Sequence, residues 1–230
     1  MNKPHGGDAL DGSVDRVRAS KALSSLLRHN AEREGLSMDT AGYVRMTDVV
    51  GHRWLRGVDI ETVLTIVREC PKQRFGICER AGELYIRANQ GHSMGQVQAE
   101  SLLSPLDEES AAEFATIIHG TFRHSLPSIL RQGLSRMRRQ HIHFCTSLAQ
   151  HSGISGLRAR ANILISVNAV KAIQDGIPFF LSQNGVVLTP GKESSGMLPC
   201  EYFTAIYVVE RDGSLNRFSD TELDAIARES

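Results

Sequence analysis

The sequence predicts an α+β protein with two lobes, of which the N-terminal lobe is winged-helix-like and the C-terminal lobe is mostly β. Three observations lead to this prediction: helical periodicity in the first third of the chain, two alternating segments just after it, and a series of short strand-like segments in the second half. At 230 residues the chain has room for two small domains, each with its own core. The expected segments are a flexible N-terminus over 1–15, the first lobe over 16–92, a linker over 93–113, the second lobe over 114–211 and a polar tail over 212–230.

Three helices are expected in the first lobe. The first is predicted over Ser20–Leu36, because apolar residues recur there at three- and four-residue intervals and Ser20 stands where an N-cap belongs. A short helix is predicted over Thr47–Val50, and a third over 59–70, with Asp59 as its cap. The segments 73–79 and 83–89 then alternate around a turn and read as a hairpin. Three helices followed by a hairpin is the order of a winged helix, a module that often binds nucleic acid, but a fold alone does not establish a function.

The second lobe is expected to be built mainly of short strands. Helices are predicted only near 124–132 and 168–174. The strand-like segments are bounded by turn residues and lie at 116–121, 141–145, 162–168, 178–182, 185–190 and 203–210.

Composition indicates a soluble protein. The hydrophobic fraction of 41% is typical of a globular chain, no run of 18 apolar residues occurs, and the first residues lack the apolar segment of a signal peptide. We therefore expect an intracellular location, in the cytoplasm or the nucleus, with no membrane partner and with the chain acting as a monomer. The four cysteines form no CxxC pair, which argues against a zinc ribbon and against a disulfide scaffold.

The balanced total charge hides a strong local asymmetry. Between Phe114 and Gln174 there is no Asp or Glu, whereas the same stretch holds eight cations: Arg123, Arg131, Arg136, Arg138, Arg139, Arg158, Arg160 and Lys171. Such a stretch creates a local positive potential, and we expect it to bind an anion. In the alternative interpretation, these arginines only pair with the acidic segment 100–113 or with the C-terminal tail.

Familiar nucleotide and metal motifs are absent from the sequence. There is no Walker A loop and no GxGxxG. His141, His143 and Cys145 alternate in one strand-like segment and so share a face, as metal ligands would. No fourth ligand is evident, so hydrogen-bonding histidines on a half-buried strand are the favoured interpretation, and no metal site is predicted.

Several basic residues are placed where an anion would bind. Arg28 and His29 interrupt the apolar stripe of the first helix, either as a solvated helix end or as a positive pair presented to an anion. Arg87 ends the hairpin, and Arg139 precedes His141 by two residues, so that both project from one face if the strand extends back that far. Guanidinium groups bind phosphate oxygens in bidentate fashion, and together these residues indicate a phosphate clamp.

A set of motifs carries a family resemblance. The segments "SKALSSLLRHN", "KQRFGI", "IRANQGHS", "HGTF", "RQHIH", "ISGLRAR" and "DGIPFFLSQNGVVLTPG" occur in this order from about Val17 to Val209. In sequence and spacing they resemble the NAD-dependent RNA 2′-phosphotransferases. The combination is highly specific, although no single motif suffices.

The resemblance implies a fold and a reaction. The family joins an N-terminal winged-helix-like lobe, which binds RNA, to a C-terminal ADP-ribosyltransferase-like lobe, which binds NAD as co-substrate. Its substrate is RNA with an internal 2′-phosphate, which points to the splice junction of tRNA. The RNA 2′-phosphate attacks C1″ of the nicotinamide ribose and expels nicotinamide, and the ribose O2″ then attacks the phosphorus. The products are 2′-hydroxyl RNA, ADP-ribose 1″,2″-cyclic phosphate and nicotinamide.

The resemblance also assigns residues to roles. At the reacting phosphate it places Arg28, His29, Arg87 and Arg139. In contact with NAD it places His119, Gly120, Thr121, His141, Gly156 and Arg158. As residues that contact the RNA we expect Lys21, Arg136 and Arg138. No metal is implied, because guanidinium groups stabilise the charge on the phosphoryl oxygens.

Two residues depart from the family pattern, and two alternative functions remain open at the level of sequence. Asn30 stands where many relatives have proline, and Cys145 where serine is common. One alternative is an ADP-ribosyltransferase that caps a terminal phosphate of a nucleic acid or modifies a protein and stops after the first step. The other is an RNA-binding module without enzymatic activity.

Overall fold

The computed structural model describes residues 8–95, 97, 103–146 and 160–228. The chain divides into two compact units, Met1–Ala99 and Glu100–Ser230. Both units combine helices with antiparallel sheets, so the expected α+β class is confirmed.

The N-terminal unit begins with a long helix. α1 spans Asp8–Ser25 and continues into a π-helical turn over Leu26–Asn30. The prediction of Ser20 as N-cap is wrong, and part of the range expected to be a flexible N-terminus is helical. Once a helix is nucleated, each added residue costs little free energy, so a serine that favours a cap does not by itself start a helix.

The next elements follow the predicted order. They are β1 (Val44–Arg45), α2 (Met46–Val50), a 3₁₀ turn (Arg53–Leu55), α3 (Ile60–Arg68), β2 (Phe75–Arg80) and β3 (Glu83–Ala88). The cap of α3 is confirmed, since the Asp59 carboxylate accepts a hydrogen bond from the Thr62 amide at 2.8 Å. Ala81 and Gly82 both have positive φ (51° and 79°), as a type I′ turn requires, and they close the predicted hairpin. The strand order is β1-β3-β2.

The C-terminal unit contains all six predicted strands and both predicted helices. Its elements are β4 (Ser104–Leu106), α4 (Glu108–Ala112), β5 (Ile118–Thr121), α5 (Leu126–Gln132), β6 (Leu134–Ser135), β7 (Ile142–Phe144), β8 (Ile163–Val167), α6 (Ala169–Gln174), β9 (Phe179–Leu181), β10 (Val187–Thr189), β11 (Met197–Leu198), β12 (Phe203–Val209), β13 (Leu215–Arg217) and α7 (Asp220–Arg228). The strands form sheets of order β4-β9-β10-β7 and β13-β12-β8-β5 and the pair β11-β6. An isolated bridge between Ile118 and Cys145 links β5 to the residue after β7.

The range 93–113, expected to be a linker, contains regular structure in its second half. β4 pairs with β9, and α4 begins with a capping box in which Asp107 and Ser110 satisfy each other's backbone amides. Leu106 and Ala111 are buried in the core of the unit. These apolar residues are too few to produce a visible period, and the acidic residues around them masked the signal.

The expected polar tail also packs onto the unit. β13 pairs with β12, and α7 places Leu223 and Ile226 against the core. Arg131 of α5 donates a hydrogen bond to the Ala227 carbonyl oxygen at 3.0 Å. One arginine of the acid-free stretch therefore contacts a backbone carbonyl of the C-terminal segment. This bond does not test the ion pairs that the alternative interpretation of that stretch expects.

In the parts of the chain described here, none of the helices is long and apolar enough to cross a membrane.

Candidate functional site

The π-helical turn carries the Arg28–His29 pair. Leu26 and Leu27 at its start are fully buried, whereas Arg28 is half-buried and His29 is exposed. A π turn holds one residue more than an α turn and often marks a functional site. The apolar part of the turn is anchored in the core, and the basic pair is held at the surface beside it.

Two contacts hold this pair in position. The Ser93 amide donates a hydrogen bond to the Arg28 carbonyl oxygen at 3.0 Å, and the Ser93 hydroxyl lies 2.9 Å from Nδ1 of His29. Ser93 ends the "IRANQGHS" motif, so two motifs far apart in sequence meet here. Ser93 belongs to a motif that carries the family resemblance, but no local pattern in the sequence indicated its role.

Asn30 stabilises the end of the turn. Its Nδ2 donates hydrogen bonds to the carbonyl oxygen and the hydroxyl of Ser25, at 3.0 and 3.1 Å. Both acceptors belong to Ser25, the residue before the π turn, so the asparagine side chain ties the last residue of the turn to its start. The departure from proline at this position therefore has a structural role of its own.

Arg87 lies within the same unit, on β3, which packs against the π turn. The side chain is only 4% exposed, and its Cζ lies 4.9 Å from the centre of the Tyr43 ring. On the neighbouring strand, the residue opposite Arg87 is Gly76. A Cβ at Gly76 would lie 3.5 Å from Nε of Arg87 and 2.8 Å from Oδ1 of Asn89, so the missing side chain leaves room for both.

Tyr43 responds electrostatically to this environment. Burial raises the pKa of its hydroxyl, and the nearby Arg87 guanidinium opposes part of that rise. The ring therefore stays neutral and offers its face to the cation. The sequence did not single out Tyr43 or Gly76, because nothing in their local pattern shows what packs against Arg87.

In the C-terminal unit, β5 carries His119, Gly120 and Thr121. Gly120 and Thr121 are buried, and Nδ1 of His119 lies 3.0 Å from the His143 carbonyl oxygen. A carbonyl only accepts, so Nδ1 carries the hydrogen and Nε2 is the acceptor of the neutral ring. The "HGT" and "HIH" motifs are thus adjacent, as the bridge between Ile118 and Cys145 requires.

All five residues from His141 to Cys145 are buried, so the expected half-buried alternation is wrong for this segment. β7 pairs with β10, and Cys145 bridges to β5, so the segment has a backbone partner along each of its two edges. Among the described residues, no group of three or more His, Cys, Asp or Glu side chains is arranged to hold a metal ion.

His141 is 5% exposed, and burial together with the nearby Arg136 lowers its pKa from 6.5 to about 4. The ring is therefore neutral at pH 7. A neutral imidazole donates through one nitrogen and accepts through the other, which suits contact with sugar hydroxyls.

The low pKa of His141 makes stability depend on pH. Because the unfolded chain binds a proton at about pH 6.5 and the folded chain does not, the free energy of unfolding falls as the pH drops from 6.5 toward 4. Lowering the pH from 7 to 5 should therefore reduce the free energy of unfolding by about 2 kcal/mol through His141 alone. Urea unfolding of the wild type and of His141→Gln at both pH values measures this, and the variant should lose correspondingly less stability. The exposed His124 is the control, since His124→Gln should behave like the wild type. Equal losses in wild type and His141→Gln would contradict the expectation.

Arg136, Arg138 and Arg139 occupy an exposed turn between β6 and β7. The Arg139 amide donates to the Arg136 carbonyl oxygen at 3.1 Å, and Met137 has a positive φ of 55°. β7 begins only at Ile142, so the condition under which Arg139 and His141 would project from one face of a strand is not met. A tight turn competes with strand pairing for these backbone groups, and all three arginines of the turn are exposed.

The remaining predicted residues are placed as follows. Lys21 lies exposed on α1. Gly156 and Arg158 fall outside the described residues.

Comparison with known proteins gives a consistent result. The family described as "RNA 2′-phosphotransferase, Tpt1/KptA family" matches residues 14–191. Among curated proteins, the chain is 39% identical over 191 residues to tRNA 2′-phosphotransferase 1 of Danio rerio, covering 82% of this chain and 84% of that protein. It is 42% identical over 214 residues to tRNA 2′-phosphotransferase 1 of Mus musculus, covering 88% and 84%. A relative in Schizosaccharomyces pombe is 42% identical over 193 residues, which are 84% of this chain but 51% of that protein, so the chain spans about half of its length.

Proposed function

Because the chain belongs to the RNA 2′-phosphotransferase, Tpt1/KptA family, we propose that it removes an internal 2′-phosphate from RNA, at the splice junction of tRNA, and transfers it to NAD. The observation that carries this proposal is the arrangement in the N-terminal unit. There, the Arg28–His29 turn is tied to Ser93 and packs beside the strand that carries the buried Arg87. Such an arrangement provides fixed positive charge for a phosphate dianion.

NAD is the co-substrate in this proposal. It supplies an electrophilic ribose carbon with nicotinamide as leaving group, and its ADP-ribose leaves with the phosphate as a 1″,2″-cyclic ester. The RNA regains its 2′-hydroxyl. The phosphoryl group thus passes from one oxygen to another with no net change in its oxidation state.

The chain's own residues position and neutralise the phosphate. We assign the reacting phosphate to Arg28, His29 and Arg87 of the N-terminal unit and to Arg139 of the C-terminal unit. Arg87 is preorganised by burial against Tyr43, and preorganised donors need no reorientation when charge develops in the transition state.

The residues around "HGT" fit a dinucleotide. The buried hydroxyl of Thr121, the half-buried imidazole of His119 and the buried, neutral imidazole of His141 offer donors and acceptors to ribose hydroxyls and phosphates. Together with Gly120, they support assigning NAD to the C-terminal unit, with that unit as an ADP-ribosyltransferase-like lobe. Gly156 and Arg158 belong to the same proposal.

The N-terminal unit is proposed as a winged-helix-like RNA-binding lobe. In its support, a strand lies between the first two helices and pairs beside the terminal hairpin, in the order β1-β3-β2. Lys21 on α1 and the exposed Arg136 and Arg138 are proposed to contact backbone phosphates. Such contacts are independent of sequence.

The test is incubation with a short RNA that carries one internal 2′-phosphate. The RNA should be converted to its 2′-hydroxyl form only when NAD is present, with release of nicotinamide, and also in EDTA, because guanidinium groups supply the positive charge. Mass spectrometry of the RNA and chromatography of the nucleotide products measure this. An RNA with only a terminal phosphate is the control. Release of inorganic phosphate without NAD would refute the proposal, and stable ADP-ribose on the terminal phosphate would instead support a capping ADP-ribosyltransferase.

A further inference from the structure

One large apolar side chain of the C-terminal unit is held in solvent. Met137 is 77% exposed, and Val17 is the other exposed large hydrophobic residue in the described part of the chain. A single exposed apolar side chain is ordinary on a protein surface and by itself indicates nothing. Met137 differs from the ordinary case in its backbone conformation and in its neighbours, and both point to a ligand.

The backbone at Met137 is fixed in a conformation that side chains rarely adopt. Its φ of 55° lies in the left-handed region, where glycine or asparagine is favoured. The Met137 amide donates a hydrogen bond to the Ser135 hydroxyl at 3.0 Å, and the Arg139 amide closes the turn on the Arg136 carbonyl oxygen at 3.1 Å. A glycine would fit this position without strain, so the methionine is kept at the tip at a cost to stability. Backbone strain of this kind clusters at sites that bind a ligand.

The base of the turn is tied to a second loop. β6 pairs with β11, and the Arg136 amide donates a hydrogen bond to the Gly196 carbonyl oxygen at 3.2 Å. A Cβ at Gly196 would lie 2.5 Å from Nε of Arg136, so the arginine side chain lies directly against the backbone of that glycine. The turn is therefore anchored through its backbone and through one of its side chains, and its tip forms a fixed surface.

This tip is surrounded by positive charge. Arg136, Arg138 and Arg139 are all exposed, and no carboxylate of the described residues forms an ion pair with Arg136 or Arg138. The charge of Arg136 also contributes to the lowered pKa of His141, so the turn lies near a residue assigned to NAD. An apolar tip within a cationic surface matches a ligand that alternates negative charges with flat apolar faces. A single RNA strand has that chemistry.

Methionine is suited to contact with a nucleobase. Its thioether is polarizable and packs favourably against aromatic rings, and its unbranched chain adapts to rings of different shape. Apolar side chains, methionine among them, are inserted between base steps by several nucleic-acid-binding proteins. Packing on a base tolerates any sequence, because every base has a π-face.

We propose that Met137 is an RNA-contact residue that packs against a nucleobase at or next to the nucleotide carrying the 2′-phosphate, while the arginines on either side bind the strand's backbone. The inference rests on the proposed function, because Arg139, which is assigned there to the reacting phosphate, follows Met137 by two residues. Two residues span at most about 7 Å, which keeps the contacted base close to that phosphate. The turn then holds the strand by a base as well as by phosphates, and the base contact adds affinity that salt does not screen.

The experiment measures binding of two fluorescein-labelled RNA hexamers, each with one internal 2′-phosphate, to the full chain by fluorescence anisotropy without NAD. One hexamer is intact, and the other has abasic riboses at the 2′-phosphorylated nucleotide and at both of its neighbours, so that it keeps every phosphate. Met137→Ala should weaken binding of the intact hexamer by about five- to tenfold, and of the abasic one by less than about twofold. The slope of log affinity against log salt should stay unchanged, because no charge is removed. Met137→Leu, which restores an apolar side chain, should recover most of the affinity.

Arg138→Ala, in the same turn, is the matched control. It removes a charge and not an apolar contact, so it should weaken binding of both hexamers equally and make the salt slope shallower by about 0.7. Circular dichroism melting checks that each variant folds. If Met137→Ala does not fold, Met137→Gly carries the same test, because it lacks the side chain and relieves the positive φ.

Three results would overturn the base contact. They are an equal loss of affinity on both hexamers, undiminished binding by Met137→Ala, and a wild-type chain that does not bind the intact hexamer. Because binding is measured without NAD, wild-type binding without turnover would count against the proposed function and not against this contact.

Discussion

Replacing Arg87 by alanine is expected to lower the single-turnover rate of 2′-phosphate removal by about a hundredfold or more, the usual scale for losing one preorganised donor at a reacting group. Arg87 is 4% exposed and fixed between Tyr43 and the space at Gly76, so water cannot readily replace its charge. Lysine should rescue poorly, because a point charge lacks the bidentate fork. If the substitution slows the second step, the attack on phosphorus, more than the first, an intermediate should accumulate. This intermediate is RNA joined through its 2′-phosphate to ADP-ribose, and it should be detected in quenched samples.

Arg80 provides a matched control for this experiment. Its guanidinium lies 4.6 Å from the centre of the same Tyr43 ring, but it is exposed and pairs with Asp39 at 2.7 Å. Arg80→Ala should therefore change the rate by less than about twofold, the range usual for surface charges. Thermal melting separates catalysis from folding, since Arg87→Lys keeps most of the packing. A rate for Arg87→Ala like that of Arg80→Ala would show that Arg87 only stabilises the hairpin.

Elements with strong local signals were predictable from the sequence. Asp59 caps α3, and Ala81–Gly82 closes the hairpin, because in both cases the residues that decide the structure are neighbours in the chain. Six of the C-terminal strands were also predicted, since each of these six is a short apolar run between turn residues.

Elements stabilised by distant partners were missed. α7 depends on Leu223 and Ile226 packing against the core, and β4 depends on pairing with β9. In the same way, Arg87 was predicted from its motif, but the Tyr43 ring beside it was not. A side chain's surroundings are set by tertiary contacts, which one sequence does not display.

The fold around the Arg136–Arg139 turn depends on Gly133, and Gly133→Ala is expected to destabilise the C-terminal unit by more than about 4 kcal/mol. Gly133 follows α5 with φ 91° and ψ −178°, a region that is accessible almost only to glycine. A Cβ there would also overlap the Leu198 carbonyl oxygen, in the strand that pairs with β6. That pairing holds β6 in place immediately before the basic turn.

The variant Gly176→Ala separates the cost of backbone strain from the cost of steric overlap. It follows α6 with φ 83°, but a Cβ there meets nothing within 4 Å, so Gly176→Ala should cost only the backbone strain of about 1 to 2 kcal/mol. Urea unfolding of both variants measures the difference in stability. If Gly133→Ala does not yield folded protein while Gly176→Ala does, Gly133→Ala is still the more destabilising of the two. Equal losses would mean that the backbone at Leu198 yields to the added methyl group, and that β6 does not hold the turn as tightly as its pairing with β11 indicates.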